Sequence, residues 1–187
     1  LKIWDLDSGQ VIRTLTGHMG SINAVAVTPD GKRVISGSDD KTLKIWDLDS
    51  GQVIRTLTGH NDTVTAIAVA PDGANVVSGD RAGSLKFWNL LSNKEQTTLG
   101  GHAPFGIYAV GVTPDGKRVV TVSADMTIKL WDIKAEKGLA YPGHSDIIKI
   151  VTVTLDGHQA ISGSKDLKIW DLKNGKELGY FPSMAGD

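Results

Sequence analysis

Apolar and polar residues alternate along this chain in short bursts, and each burst ends on a turn signal. Ile22-Asn23-Ala24-Val25-Ala26-Val27 stops at Thr28-Pro29-Asp30-Gly31. Lys32 to Gly37 follows and stops at Ser38-Asp39-Asp40-Lys41, Thr42 to Asp47 stops at Asp49-Ser50-Gly51, and Gln52 to Leu57 closes the series. Runs of five or six residues, rich in Val, Ile and Thr and bounded by Pro, Asp, Gly or Ser, predict β-strands joined by tight turns. A globular helix needs about 10–12 residues, and a Pro or Gly interrupts every stretch of that length. The fold class is all-β.

The same pattern returns down the chain. Residues 1–18, LKIWDLDSGQVIRTLTGH, recur unchanged at 43–60. Trp4, Trp46, Trp88, Trp131 and Trp170 are spaced by 42, 42, 43 and 39 residues, and Gly-His pairs end at His18, His60, His102 and His144, each 42 apart. TPDGKRV at 28–34 returns at 113–119, with APDGANV at 70–76 between them. By length alone this period would suit helical HEAT repeats, but the strand pattern excludes them.

Four antiparallel strands per period, with one Gly-His and one Trp-Asp in each, resemble the WD-repeat β-propeller family, and the near-identical units suggest a bacterial type or a designed derivative. The resemblance covers essentially the whole chain. It implies a β-propeller of four-stranded antiparallel blades, about four and a half of them here. Residues 1–16 would be a half blade made of a third and a fourth strand. Whole blades would follow at 17–58, 59–100, 101–142 and 143–181, with 182–187 as a tail. The ring so described is incomplete. Three readings stay open: an excerpt of a longer propeller, copies that fill each other's gaps as a homo-oligomer, or a small ring with the stub displaced.

Composition mainly excludes. Of 187 residues 40% are apolar, enough for a core, and the net charge is −1, which offers no field for nucleic acid or an anionic membrane. No nucleic-acid or membrane partner is expected. With no cysteine there is no disulfide or thiolate metal site, which fits a reducing, cytoplasmic setting. No apolar run approaches the roughly 20 residues of a membrane-spanning helix. No cofactor or metal is expected.

His, Ser or Thr, Asp and Trp recur in every unit, and a hydrolase comes to mind. A catalytic site, however, is one converging set beside one pocket, whereas this set repeats. The family resemblance implies a hydrogen-bonded structural tetrad inside each blade: His18, Ser36, Asp40 and Trp46, then His102, Thr121, Asp125 and Trp131. Such a chain satisfies buried polar groups that are otherwise costly. The unit with His60, Ser78 and Trp88 lacks the carboxylate on this register, because Ala82 stands in its place and Asp80 is shifted; Trp88 is followed by Asn89. His144, Ser162, Asp166 and Trp170 keep the set, but two residues are missing before the Trp. Asp-Leu-Asp-Ser-Gly at 5–9 and 47–51 lacks the remaining ligands of a calcium loop and reads as a turn. His158 reads as an exposed strand-start residue. Lys2, Lys44, Lys86, Lys129 and Lys168, each two before a Trp, read as blade-edge side chains and not as a nucleic-acid track.

The resemblance also implies that a protein or peptide binds where the inner strands begin. Blades differ there: Ser21, Asn23 and Asp39; Thr63, Thr65 and Arg81; Phe105, Gly106, Tyr108 and Ala124; Ile147, Lys149 and Lys165. Aromatic and Arg side chains dominate interface energies, so the candidate patch is Arg81, Phe105, Tyr108 and Ile147, flanked by Lys149. The expected function is a non-catalytic scaffold or sensor for protein or peptide. The alternative is a structural or engineered repeat with no ligand.

Overall fold

The computed structural model describes residues 1–92, 94–135 and 137–182. Among them the chain is entirely strand and turn. A two-stranded sheet, β1 (Lys2–Trp4) and β2 (Val11–Thr14), comes first. Four meanders of four antiparallel strands follow. They are β3 (Ile22–Val27), β4 (Arg33–Ser38), β5 (Leu43–Asp47) and β6 (Val53–Leu57); then β7 (Val64–Val69), β8 (Asn75–Asp80), β9 (Leu85–Asn89) and β10 (Lys94–Leu99). Next are β11 (Ile107–Val112), β12 (Arg118–Ser123), β13 (Thr127–Asp132) and β14 (Lys137–Pro142), and last β15 (Ile150–Val153), β16 (Gln159–Gly163), β17 (Leu167–Asp171) and β18 (Glu177–Phe181). In the first four-stranded sheet, the starts of the second, third and fourth strands lie one residue later than the turn signals suggest.

The turns use the chemistry the sequence advertises. Gly31 sits at φ 69° and its N–H reaches the Thr28 carbonyl at 2.9 Å, closing the β3–β4 hairpin. Asp30 Oδ1 accepts the Thr28 hydroxyl and the Lys32 N–H, so Pro-Asp-Gly is a turn with its own internal bonds. After each Trp, the next side chain holds the following turn. Asp5 and Asp47 each accept two bonds at 2.7 Å, from Ser8 and Ser50 respectively. Asn89 Oδ1 accepts the N–H groups of Leu91 and Ser92, so the exchange of Asp for Asn costs this turn nothing.

Sheets stack face to face through their first strands, with β3 against β7, β7 against β11 and β11 against β15. The core lies between sheets. Ile35, Leu43 and Ile45 of one pack with Val64, Val76 and Trp88 of the next, and the same apposition recurs twice further along. Small residues allow the approach. A Cβ added at Gly37 would lie 2.5 Å from Val64 Cγ1, and one at Gly79 would lie 2.5 Å from Ile107 Cγ2. Val64 and Ile107 are thus knobs set into the preceding sheet, each 0% exposed. Burial of the sheet faces is the main stabilising term, at about 25 cal/mol per Å² of apolar area.

The two-stranded sheet is stacked too. Leu15, with Leu1 and Ile3, packs on Val34, Trp46 and Leu48 of the neighbouring sheet. Arg13 reaches across with both terminal nitrogens to the carbonyls of Ser50 and Asp49.

Candidate functional site

Each four-stranded sheet contains one buried polar chain that links its lead-in loop to its second and third strands. His18 Nδ1 lies 2.7 Å from Asp40 Oδ2, and Nε2 lies 2.7 Å from Ser36 Oγ. Trp46 Nε1–H donates to the same Ser36 oxygen at 2.8 Å. Every member is satisfied when the imidazole is neutral with its proton on Nδ1: Nδ1–H donates to the carboxylate, and Nε2 accepts the Ser hydroxyl. Asp40 also receives the N–H groups of Met19 and Thr42 and the Thr42 hydroxyl. Burial alone would raise this carboxyl, but those hydrogen bonds outweigh it and hold Asp40 well below the ordinary range.

The other sheets repeat the geometry. His102 sits 2.7 Å from both Asp125 Oδ2 and Thr121 Oγ1, and Trp131 donates to Thr121 at 2.8 Å. Burial pushes the His102 imidazole below its usual value despite Asp125. Asp125 is lowered because bonds from His102 and Thr127 exceed the opposing cost of burial. In the last sheet His144 contacts Asp166 and Ser162, and Trp170 donates to Ser162 at 2.8 Å. A tight turn, in which Ser164 N–H bonds the Asp166 carbonyl, absorbs the two-residue shortening there.

One reading of the sequence is corrected. The unit with His60, Ser78 and Trp88 does have a carboxylate: Asp80 Oδ2 lies 2.8 Å from His60 Nδ1, and both side chains are fully buried. His60 Nε2 is 2.6 Å from Ser78 Oγ, which accepts Trp88 N–H at 2.8 Å. Asp80 ends strand β8, two residues before the usual position, and its other oxygen takes Ser84 N–H. The signal was available in the sequence, since Asp80 replaces the Ser found at 38 and 123.

These groups are joined to one another within each sheet. Among the described residues no cluster of three His, Cys, Asp or Glu is disposed to hold a metal ion. The lysines two before each Trp serve the sheet edges: Lys44 donates to Thr56 at 2.8 Å, Lys86 to Thr98 at 2.6 Å, and Lys168 to Glu177 at 2.8 Å. Lys129 reaches the Gly101 carbonyl, and Lys2 lies 5.8 Å from the Trp4 ring centre. His158 is exposed in the turn before β16.

At the rim where the inner strands begin, lead-in loops meet the turns between second and third strands. Backbone bonds join them: Asp39 N–H to Ser21, Arg81 N–H to Thr63, and Ala124 N–H to Gly106, at 2.9–3.1 Å. Pairing skips one residue at the start of three inner strands, leaving Asn23, Thr65 and Tyr108 as bulges. A bulge re-aims its side chain. Asn23 Nδ2 uses that to reach the Val64 carbonyl, and Thr65 Oγ1 reaches the Ile107 carbonyl, so both tie one sheet to the next. Tyr108, in the same place, is instead 38% exposed, and Phe105 and Ile147 of the lead-in loops to β11 and β15 are 50% and 36% exposed. Arg81 and Lys149 are exposed, and a Cβ on Gly106 would come within 3.0 Å of the Arg81 carbonyl, so the Phe105 loop sits directly against Arg81. Lys165 is held 2.8 Å from Asp146.

A profile of the WD domain, G-beta repeat, matches residues 9–47, 51–89 and 93–132, more than half of the chain. The chain belongs to the WD-repeat family. Each matched WD repeat takes the outer strand of one sheet and the first three of the next, so every repeat stitches two sheets together. Among similar proteins, an uncharacterised WD repeat-containing protein of Schizosaccharomyces pombe is 51% identical over 43 residues, 23% of this chain and 11% of that protein. Nuclear distribution protein PAC1 of Arthroderma otae is 45% identical over 42 residues, 22% of this chain and 9% of that protein. The U5 small nuclear ribonucleoprotein 40 kDa protein of Homo sapiens is 49% identical over 41 residues, 22% of this chain and 12% of that protein. The matched stretches thus span about a tenth of these relatives, the length of one WD repeat. The relatives are eukaryotic, which gives no support to a bacterial type.

Proposed function

We propose that this WD-repeat chain is a non-catalytic module that binds a protein or peptide at the rim formed by Arg81, Phe105, Tyr108, Ile147 and Lys149. One observation carries the reading. The recurring polar residues are engaged inside the sheets, whereas the residues that break the repeat are large and exposed on one rim, in the β8–β9 turn, the start of β11 and the lead-in loops of β11 and β15. Rigid aromatic anchors with an adjacent guanidinium are the side chains that supply most of the energy at protein interfaces. The names of the relatives, a nuclear distribution protein and a ribonucleoprotein component, are compatible with work in assemblies and say nothing about this chain's own partner.

The test is a binding selection from a random peptide library on the immobilised chain, repeated with Arg81→Ala/Tyr108→Ala. Selected peptides should lose at least about thirtyfold in affinity, the factor for 2 kcal/mol, while thermal unfolding stays unchanged. Peptides that bind the double variant equally well would place the surface elsewhere, and an empty selection would favour a repeat scaffold without a ligand.

A further inference from the structure

Two of the outer strands carry an arginine that clasps the next sheet. Arg13 lies opposite Ile3 and reaches the carbonyls of Ser50 and Asp49, and Arg55 lies opposite Ile45 and reaches that of Leu90. The equivalent place on β14, opposite Leu130, is Leu139, which is 64% exposed. Here the clasp comes from β12, where Arg118 donates to the carbonyls of Leu172 and Gly157 at 2.7 and 3.2 Å. With the guanidinium two strands further in, a cleft of about 340 Å³ remains between the third and fourth four-stranded sheets. Ligand pockets run from roughly 300 to 1,000 Å³. Leu130, Leu139 and Leu172 are among its walls, with Lys137 and Lys173. Among the described residues neither lysine is held in an ion pair, and the carboxylate there, Asp132, accepts the N–H groups of Lys134 and Ala135.

The edge of β14 is distinct as well. β2, β6, β10 and β18 each have a bulge in their pairing, whereas β14 runs opposite β13 without a break from Lys137 to Pro142. Bulges twist an edge away from further pairing, so β14 is the outer strand best able to take one more. It lies last in its sheet, and alternate N–H and C=O groups along it point outward.

We propose that the β14 edge and the cleft beside it bind an extended, acidic segment of a protein partner by strand addition. Residues two apart on a strand share a face, so Lys137 and Leu139 both look into the cleft. A strand laid along β14 puts the residues opposite these two on that same face. The one opposite Leu139 is aliphatic and fills the space between Leu139 and Leu172. The one opposite Lys137, two positions away, is Glu or Asp, because two lysines with no carboxylate to answer them favour negative charge. Main-chain pairing supplies affinity, and the alternate side chains supply selectivity. Lys137 begins β14 at the end of the sheet away from the Phe105 rim, so this site stands apart from the one proposed there.

The probe is a library of random ten-residue peptides, selected on the intact chain carrying Arg81→Ala/Tyr108→Ala so that rim binders are not recovered. Selected peptides should carry an aliphatic residue two positions from Glu or Asp. They should slow amide exchange at alternate residues of 137–141 at least about tenfold, because those N–H groups enter a ladder. Leu139→Lys, at an exposed position, should weaken them at least about tenfold while thermal unfolding stays unchanged. Lys137→Glu should weaken them about threefold to tenfold, the scale of one exposed charge pair turned from attraction to repulsion. A selection repeated on Lys137→Glu should exchange the acidic residue for Lys or Arg at the same spacing, which a merely adhesive apolar cleft would not do. Four results would each overturn the proposal: an empty selection, peptides indifferent to Leu139→Lys, the same acidic motif returned against Lys137→Glu, or protection of 137–141 that rises with chain concentration before any peptide is added. The last assigns the edge to a second copy.

Discussion

Trp46→Phe and Trp4→Phe make the same change in the same five-residue sequence, Leu-Lys-Ile-Trp-Asp, and should have very different consequences. Trp46 is 1% exposed, packs with Leu15 and Val34, and donates its indole N–H to Ser36 at 2.8 Å. Phenylalanine deletes that donor, worth about 1 kcal/mol net. It also leaves roughly a third of the indole ring unreplaced in a packed site, where complete truncation costs about 3–5 kcal/mol, so about 1 kcal/mol is lost again. The expected total is about 2 kcal/mol. Trp4 is half in solvent, and its replacement should fall within about 0.5 kcal/mol. Urea unfolding followed by far-ultraviolet circular dichroism reads the difference. With a slope of about 2 kcal/mol per molar, Trp46→Phe should lower the midpoint by about 1 M, and Trp4→Phe should leave it within about 0.3 M. Equal shifts for the two variants would mean that the environments are not distinct, and the account of the half blade would fail.

Asp80→Ala should destabilise by about 2–3 kcal/mol, because it strands the His60 ring N–H and the Ser84 N–H in a site closed to water. Adding Ala82→Asp, at the position the other sheets use, should restore part of the loss in thermal unfolding; a double variant no better than Asp80→Ala alone counts against the two positions being interchangeable. Acid should weaken the fold in two stages. His102 is held below its ordinary value of 6.5, so the unfolded chain takes up the proton first, and stability declines as pH falls through that value. Asp40, Asp80 and Asp125 are held below 3.8, so their contribution is complete above that value and disappears as pH falls beneath it. Urea midpoints from pH 8 to 3 should be level at first, decline gently from about 6.5, and drop steeply below about 4; a midpoint that rises on acidification contradicts this assignment.

Much of the architecture was legible because its causes are local. Period-two alternation and Pro-Asp-Gly or Asp-Ser-Gly punctuation act within a few residues, so the strands fell within one position of expectation in the first four-stranded sheet. Repetition then separated His, Ser and Trp as structural members, since a reacting site is single. Asp80 escaped because register counted from Trp88 points to Ala82; its one trace in the sequence is the exchange of the Ser at 38 and 123 for Asp, and the folded β8 end shows that this carboxylate reaches the same imidazole. The inner-strand bulges were equally hidden. Asn23, Thr65 and Tyr108 share one alignment position, but two of them cross to the next sheet and the third faces solvent.

What residues 1–187 determine by themselves is the blade: its strand lengths, its turns and the polar groups that must be satisfied inside it, all of which depend on neighbours close in sequence. What only the tertiary structure decides is the fate of identical segments. Leu-Lys-Ile-Trp-Asp is a buried third strand at 43–47 and an open edge at 1–5, because burial depends on which strands lie alongside and which sheet lies on top. Those neighbours come from distant parts of a chain or from another chain, and no local pattern encodes them.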